Sequence, residues 1–364
     1  MKPGETYVLA RPDAPAFFQI VAEHMRLVAP RRRFGGDAGF EVLERAGEID
    51  WDYGHDPFPP KRYLLPPVET LFHYRADGRL ELEPPKPPEP TALVGVRPCD
   101  VNALHLAGRF YSGPIRDALA TERLERTVVF ALACNRAPRR ECFCICCDAG
   151  PWLESGFDVQ MTDLGERFLM EVGSEKGASA CAPGASLLRP PSEADFSSQA
   201  RLRREADASF ETTAYVAKAM TLISADEIPR AAWDNLAATC FRCGACTHLC
   251  PVCTCFTVYE RPGGGGEISR CRSWDSCQLA GFTREASGHN PRDTQGRRLQ
   301  RRMFHKVSYA TVQRDGAPGC VGCGRCVAGC LTDLGLPAVL LGLRRSVGAG
   351  PRPRVRVAEK EPAC

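Results

Sequence analysis

CFRCGACTHLCPVCTCF, residues 240–256, places six cysteines in seventeen positions. Thiols this dense serve disulfides, zinc, or iron and sulfide, and their spacing decides among them. Cys240, Cys243, Cys246 and Cys250 follow C-x2-C-x2-C-x3-C with Pro251 behind them, and Cys320, Cys323, Cys326 and Cys330 repeat the pattern. A loop with a cysteine at every third position can coil around three corners of a cubane. The fourth cysteine starts a departing segment and reaches the other cluster. The spacing therefore predicts one [4Fe–4S] cluster on Cys240, Cys243, Cys246 and Cys330, and a second on Cys320, Cys323, Cys326 and Cys250. A structural zinc scaffold is the alternative, but zinc is held by paired C-x2-C knuckles and has no use for the third and fourth cysteines. The second motif departs in one place: Leu331 stands where proline follows the first.

The rest of the composition is that of an ordinary globular protein. Of 364 residues, 44% are hydrophobic and 25% charged, enough for two or three domains. A net charge of +3 gives no argument for nucleic acid. The start, MKPGETYVLARPDAP, lacks an apolar export signal, and the run LPAVLLGL (336–343) is too short to span a bilayer. A cytoplasmic location is expected, where disulfides are rare and clustered thiols bind metal. Twenty cysteines in such a chain reinforce the reading of the motifs.

Upstream, the pattern changes from cysteine spacing to hydrophobic periodicity. FFQIVAEHMRLV (17–28) has helical spacing and is followed by the basic turn PRRRFGG, and PPKPPEP (84–90) reads as a stiff surface strap. TALVGV (91–96) and TVVFALA (127–133) read as buried strands around a helix at DVNALHLAGRF (100–110). That is a βαβ unit, with parallel strands and a right-handed crossover. Cys99 and Cys134 fall at the carboxyl ends of these strands, where open α/β sheets place ligands. Cys142 and Cys144 follow in ECFCICCDAGP (141–151). Four thiols drawn to one crevice can hold a third [4Fe–4S] cluster. Buried free thiols and a redox-active dithiol are the other readings, and Cys146 and Cys147 complicate the choice of ligands.

GFDVQMTDLGERFLMEV (156–172) reads as strands around a turn, and residues 193–239 as mostly helical. The fold expected is an α/β (or α+β) N-terminal domain over 1–185, a helical connector over 186–235, and an all-α, helical two-cluster ferredoxin-like domain over 236–340. A loose tail over 341–364, including PRPRVRV, follows. The insert between the two motifs, REASGHNPRDTQGRRLQRRMFHKVSYA included, is read as helical or looped, with GGGG (263–266) a flexible turn.

Several linked motifs carry a family likeness. GVRPCDVNAL (95–104), CNRAPRRECFC (134–144), the first cluster motif with PVCTCF behind it, RSWDSCQLAGFTREASGHNPR (272–292), RRMFHK (301–306) and CVGCGRC (320–326) together resemble one group. It contains the iron–sulfur β subunits of cytoplasmic sulfhydrogenase-type NiFe hydrogenases and the corresponding iron–sulfur subunits of anaerobic sulfite reductase. The likeness runs from about residue 91 to 335. It implies three cubanes and an electron-relay subunit between a flavin subunit that handles NAD(P)H and a catalytic redox subunit. The extra thiols Cys146 and Cys147 stand where the family has small or polar residues.

Other signals are weaker. Cys253, Cys255, Cys271 and Cys277 form a looser group near the first motif; Cys253, Cys255 and Cys277 are secondary metal-ligand candidates, and Cys181 and Cys364 are read as incidental. Arg297, Arg298, Arg301, Arg302, His305 and Lys306 are either a solvated helix face or cations that raise the potential of a net-negative cluster and dock an acidic partner. Trp274 reads as a packing anchor with Asp275 as a salt-bridge partner, and His289 as a hydrogen-bonded structural residue. No dinucleotide fingerprint, P-loop or nucleophile elbow is present, so no catalytic residue is assigned. The rival to a relay is a cysteine crevice that itself reduces sulfur or a disulfide, which needs an exposed, low-pKa thiol.

Overall fold

TALVGV has apolar or small side chains on both sides, so it must be covered on both faces. In the computed structural model, which describes residues 1–76 and 80–348, all six of its residues are buried. The chain divides into two compact units. The first is made of residues 1–139, 149–210 and 257–274, and the second of 140–148, 211–256 and 275 onward. The expected tail segment PRPRVRV and Cys364 lie outside the described residues.

The first unit contains strands β1 (Thr6–Ala10), β2 (Arg26–Arg32), β3 (Ala38–Val42), β4 (Val68–Ala76), β5 (Leu80–Glu83), β6 (Thr91–Val96), β7 (Thr127–Leu132), β8 (Val159–Asp163), β9 (Arg167–Val172) and β10 (Leu188–Arg189). Its helices are α1 (Ala14–Ala22), α2 (Pro98–Tyr111), α3 (Ala118–Glu125), α4 (Glu175–Cys181) and α5 (Glu193–Asp207). An eight-stranded sheet runs β10-β1-β9-β8-β7-β6-β2-β3. Its centre is parallel, with Leu93 of β6 opposite Val129 of β7 and Phe130 of β7 opposite Val159 of β8. The flanking pairs, β2 with β3 and β8 with β9, are antiparallel. The βαβ expectation for 91–133 thus matches β6, α2 and β7. The helix expected over 17–28 stops at Ala22, and β2 takes up the chain from Arg26. One apolar core covers the sheet, with Phe17, Phe18, Phe40, Leu93, Phe130 and Phe168 fully buried. Each such side chain contributes roughly 1.5–3 kcal/mol by leaving water.

The second half of the chain is not all-helical, which corrects the expected fold class. Between the two cysteine motifs lie β11 (Phe256–Pro262) and β12 (Glu267–Trp274), turned at the glycine run. They build a second sheet, ordered β11-β12-β4-β5. Strand β12 pairs antiparallel with β4, from Glu267 opposite Arg75 to Ser273 opposite Val68. Buried charge fastens the strand: Arg272 pairs with Glu69 and Asp117, and Arg123 reaches Glu69 at 2.6 Å. Trp274 acts as an anchor, its Nε1 donating to the Leu65 carbonyl at 3.0 Å beneath the Lys61 ammonium. The sequence conceals this strand because β12 is dense in charge and its partner is far away along the chain.

In the second unit the helices are α6 (Val216–Ser224), α7 (Arg230–Ala237), α8 (Ala245–His248), α9 (Gln295–Lys306), α10 (Tyr309–Asp315), α11 (Arg325–Ala328) and α12 (Leu336–Gly348). Helix α12 therefore runs through residues 341–348, which the sequence suggested were loose. Among the described residues, no helix is long and apolar enough to cross a membrane.

Candidate metal centre

Both cysteine motifs adopt the same backbone. The second cysteine is followed by a glycine in the left-handed region, Gly244 (φ 75°) or Gly324 (φ 75°), which then opens the short helix α8 or α11. The left-handed residue reverses the loop so that the third cysteine, Cys246 or Cys326, starts a helical turn. Helices α8 and α11 pack against each other. Cys250 lies within electrostatic reach of Cys320 and Cys326. Cys246 lies within reach of Cys240, Cys277 and Cys326. Cys240 accepts from the Gln295 amide at 3.3 Å and from Arg242 N–H at 3.4 Å. Cys330 accepts from Leu334 N–H at 3.2 Å, and Cys243 is exposed. Burial pushes the Cys246 thiol up to about 11 and raises Cys326 as well, so these thiols are neutral unless a metal displaces the proton.

Helix α9 explains the basic run better than either half of the sequence reading did. Thr294 caps it, accepting from Arg297 N–H, and its positions then divide by helical period. Arg298, Arg302 and Lys306, at i, i+4 and i+8, are 1%, 2% and 4% exposed, while Arg297 and His305 face solvent. Among the described residues, neither Arg302 nor Lys306 has a carboxylate partner, and Arg302 keeps Nε and Nη1 buried without an acceptor. Burial works against charge on Arg302, and Cys246, Cys326, Cys253 and Cys250 favour it once they are ionised as metal ligands. Cys250, Cys253 and Cys320 do the same for Lys306. Two buried cations and two unmet donors facing a ring of thiols call for a buried anion. A cluster ligated by four thiolates is one, so the residues fit the group.

The other candidates divide between the units. Cys142 and Cys144 belong to the second unit, on a segment whose backbone docks on the CVGCGRC loop: Phe143 N–H donates to the Gly322 carbonyl at 2.8 Å. A Cβ at Gly322 would sit 2.4 Å from the Phe143 carbonyl oxygen, so only glycine allows this approach. On the same segment, Cys147 and Cys320 share a hydrogen bond that lowers Cys320 and raises Cys147. Cys255 and Cys277 form a second bonded pair, in which Cys277 is held down to about 6 and Cys255 is driven up. Cys253 lies among the thiols that face Arg302 and Lys306. Cys271 is separate, fully buried on β12 in the first unit.

Cys99 and Cys134 belong to the first unit and are each 7% exposed. Burial raises Cys134, and Arg97 opposes that rise by its charge and a hydrogen bond. Arg97 itself is buried, stacked 4.3 Å from the Tyr53 ring centroid, and donates to the Tyr53 carbonyl at 2.6 Å. His55, Cys99 and Asp100 bring one ligand atom each within 4.8 Å of one another. Sequence reasoning did not single out His55, Arg97 or Asp100, although the charged neighbours of Cys99 in RPCD were a usable signal. His289 Nδ1 lies 3.4 Å from the Glu285 carboxylate, and both side chains are exposed.

Comparison with known proteins agrees with this chemistry. Residues 239–334 match the family model described as a 4Fe-4S dicluster domain. The chain is also similar to sulfhydrogenase 2 subunit beta of Pyrococcus furiosus, 25% identical over 315 residues, covering 86% of this chain and 90% of that one. This is an iron–sulfur protein, similar over most of its length to that β subunit. Cation burial alone does not separate iron from a four-thiolate zinc site, which is also anionic, but the repeated spacing and the matched domain do. The chain is an iron–sulfur electron-transfer subunit carrying [4Fe–4S] clusters. No solved structure matches it.

Proposed function

We propose that this chain relays single electrons between a flavin subunit that handles NAD(P)H and a catalytic subunit of the hydrogenase or sulfite/sulfur-reductase type, in the cytoplasm. The observation that carries the reading is the buried stripe of Arg302 and Lys306 among cysteine thiols, with no carboxylate to answer it among the described residues. The ligand sets proposed are Cys240, Cys243, Cys246 with Cys330, and Cys320, Cys323, Cys326 with Cys250. A third set, Cys99, Cys134, Cys142 and Cys144, is proposed from the sequence spacing and the family likeness. When bound, each cluster supplies one-electron uptake and release. The chain's own part is to hold the thiolates, exclude water through burial, and place fixed positive charge beside them, which favours the reduced, more negative state. The alternative, a thiol that attacks sulfur directly, is disfavoured by the burial of Cys99 and Cys134 and by the raised Cys134 thiol.

Anoxic purification with iron and acid-labile sulfide analysis tests the reading. About eight irons per chain support two cubanes and about twelve support three. Zinc without sulfide ends the proposal. NAD(P)H oxidation by the isolated chain would show that it is not a relay, whereas coupling of a flavin subunit to a terminal enzyme supports it.

A further inference from the structure

A second face of α9 carries a feature that the iron chemistry does not use. Arg297, Gln300, Arg301 and Phe304 line a cavity of about 290 Å³ together with Arg230, at the start of α7, and Pro291 and Arg292, in the loop before α9. All of these residues lie in the second unit. Two of the four guanidiniums are answered: Arg230 pairs with Asp234 at 3.0 Å and donates to Thr294 Oγ1 at 2.7 Å, and Arg297 pairs with Asp293 at 3.3 Å. Arg292 and Arg301 have no ion-pair partner among the described residues. Arg301 is half-buried, 5.3 Å from the Phe304 ring centroid, and its Nε is buried with no acceptor. Burial and the neighbouring Arg292 act against its charge, and the Cys277 thiol partly offsets them. The cavity therefore holds two surplus positive charges and an unmet donor within a concavity.

That combination selects a ligand. A cavity of this size is at the lower end of small-molecule sites, which begin near 300 Å³. Guanidinium forks match the oxygens of phosphate groups in pairs, and they bind most strongly where water is partly excluded. We propose that the cavity binds a diphosphate group, free or carried by a nucleotide, with Arg292 and Arg301 as its principal contacts and Arg230 and Arg297 at its rim. A flat acidic protein surface fits less well, because the unmet Nε of Arg301 is recessed. The site is independent of the relay reading.

The test is calorimetric titration of the full-length, iron-loaded protein, kept anoxic at low salt, with pyrophosphate, ADP and inorganic phosphate. One equivalent of pyrophosphate should bind, at least about tenfold more tightly than inorganic phosphate, and more weakly as salt rises. Arg292→Gln and Arg301→Gln should each weaken it by about tenfold or more, with the visible absorption of the clusters unchanged. Equal affinity for ADP means that the diphosphate suffices, and tighter ADP binding means that a nucleotide is preferred. Arg292→Gln lies in a loop and stands as the deciding variant if Arg301→Gln does not fold. Absence of saturable binding in the millimolar range overturns the proposal, as does binding that neither substitution weakens. A glutamate-rich peptide that binds this face without competition from pyrophosphate also overturns it.

Discussion

The two units hide different things from water. The first buries phenylalanines and aliphatic side chains around a sheet, and its contiguous apolar core lies wholly within residues 9–181. The second also buries leucines and Trp233, but sets Arg302 and Lys306 among them, facing thiols and without a carboxylate partner among the described residues. Charge in an interior is tolerated only against opposite charge, so the second unit is organised around something that its own side chains do not supply. The first unit is expected to hold by solvent exclusion alone, and the second to need bound metal as well.

The largest expected effect follows directly. Stripping the iron with oxidant and chelator should abolish hydrogen-exchange protection over α6–α12 while β6, β7 and β8 stay protected. Simultaneous loss in both units would break the contrast. The converse substitution, Phe130→Ala, should destabilise the first unit by about 3–5 kcal/mol, since it empties a fully buried site. Iron content should not change, and iron lost in step with stability would count against us. A smaller effect is expected at Lys306. Lys306→Met should lower one cluster midpoint by at least about 60 mV, the one-electron equivalent of a tenfold change, and Lys306→Arg should restore it. Redox titration followed by electron paramagnetic resonance reads this, and an unmoved midpoint would deny the ammonium its role. The smallest effect sharpens the boundary between buried and reactive cysteine. Burial pushes the Cys181 thiol up to about 12, so at pH 8 it is protonated and inert. Iodoacetamide should leave Cys181 unmodified in iron-free protein while cysteines of the second unit are alkylated, as mass spectrometry would show.

Much of the centre was legible because cluster ligation is local. Eight cysteines at fixed intervals state their chemistry without reference to the rest of the fold, and the matched dicluster domain, residues 239–334, contains all eight. The β6–α2–β7 unit was legible for a similar reason: uninterrupted apolar runs flank a helical period. The failures were non-local. Nothing within β12 shows that its partner is β4, so charge density and a glycine run suggested loop or helix. The split of α9 was missed because a string of basic residues has no faces until the helix is phased. Arg302 and Lys306 become distinctive only once their neighbours prove to be thiols rather than water. His55 approaches Cys99 only through the tertiary fold.

The pairing of β12 with β4 also sets an order of assembly. The chain passes between its two units five times, so neither can be excised as one continuous fragment. Val68 must wait for Ser273, and the first unit cannot finish its second sheet until β12 has left the ribosome. By then residues 240–250 have emerged and residues 320–330 have not. Whatever delivers iron to the paired motifs therefore meets a polypeptide whose first unit can already have closed. The paired motifs are complete only after every strand of the first unit has been made.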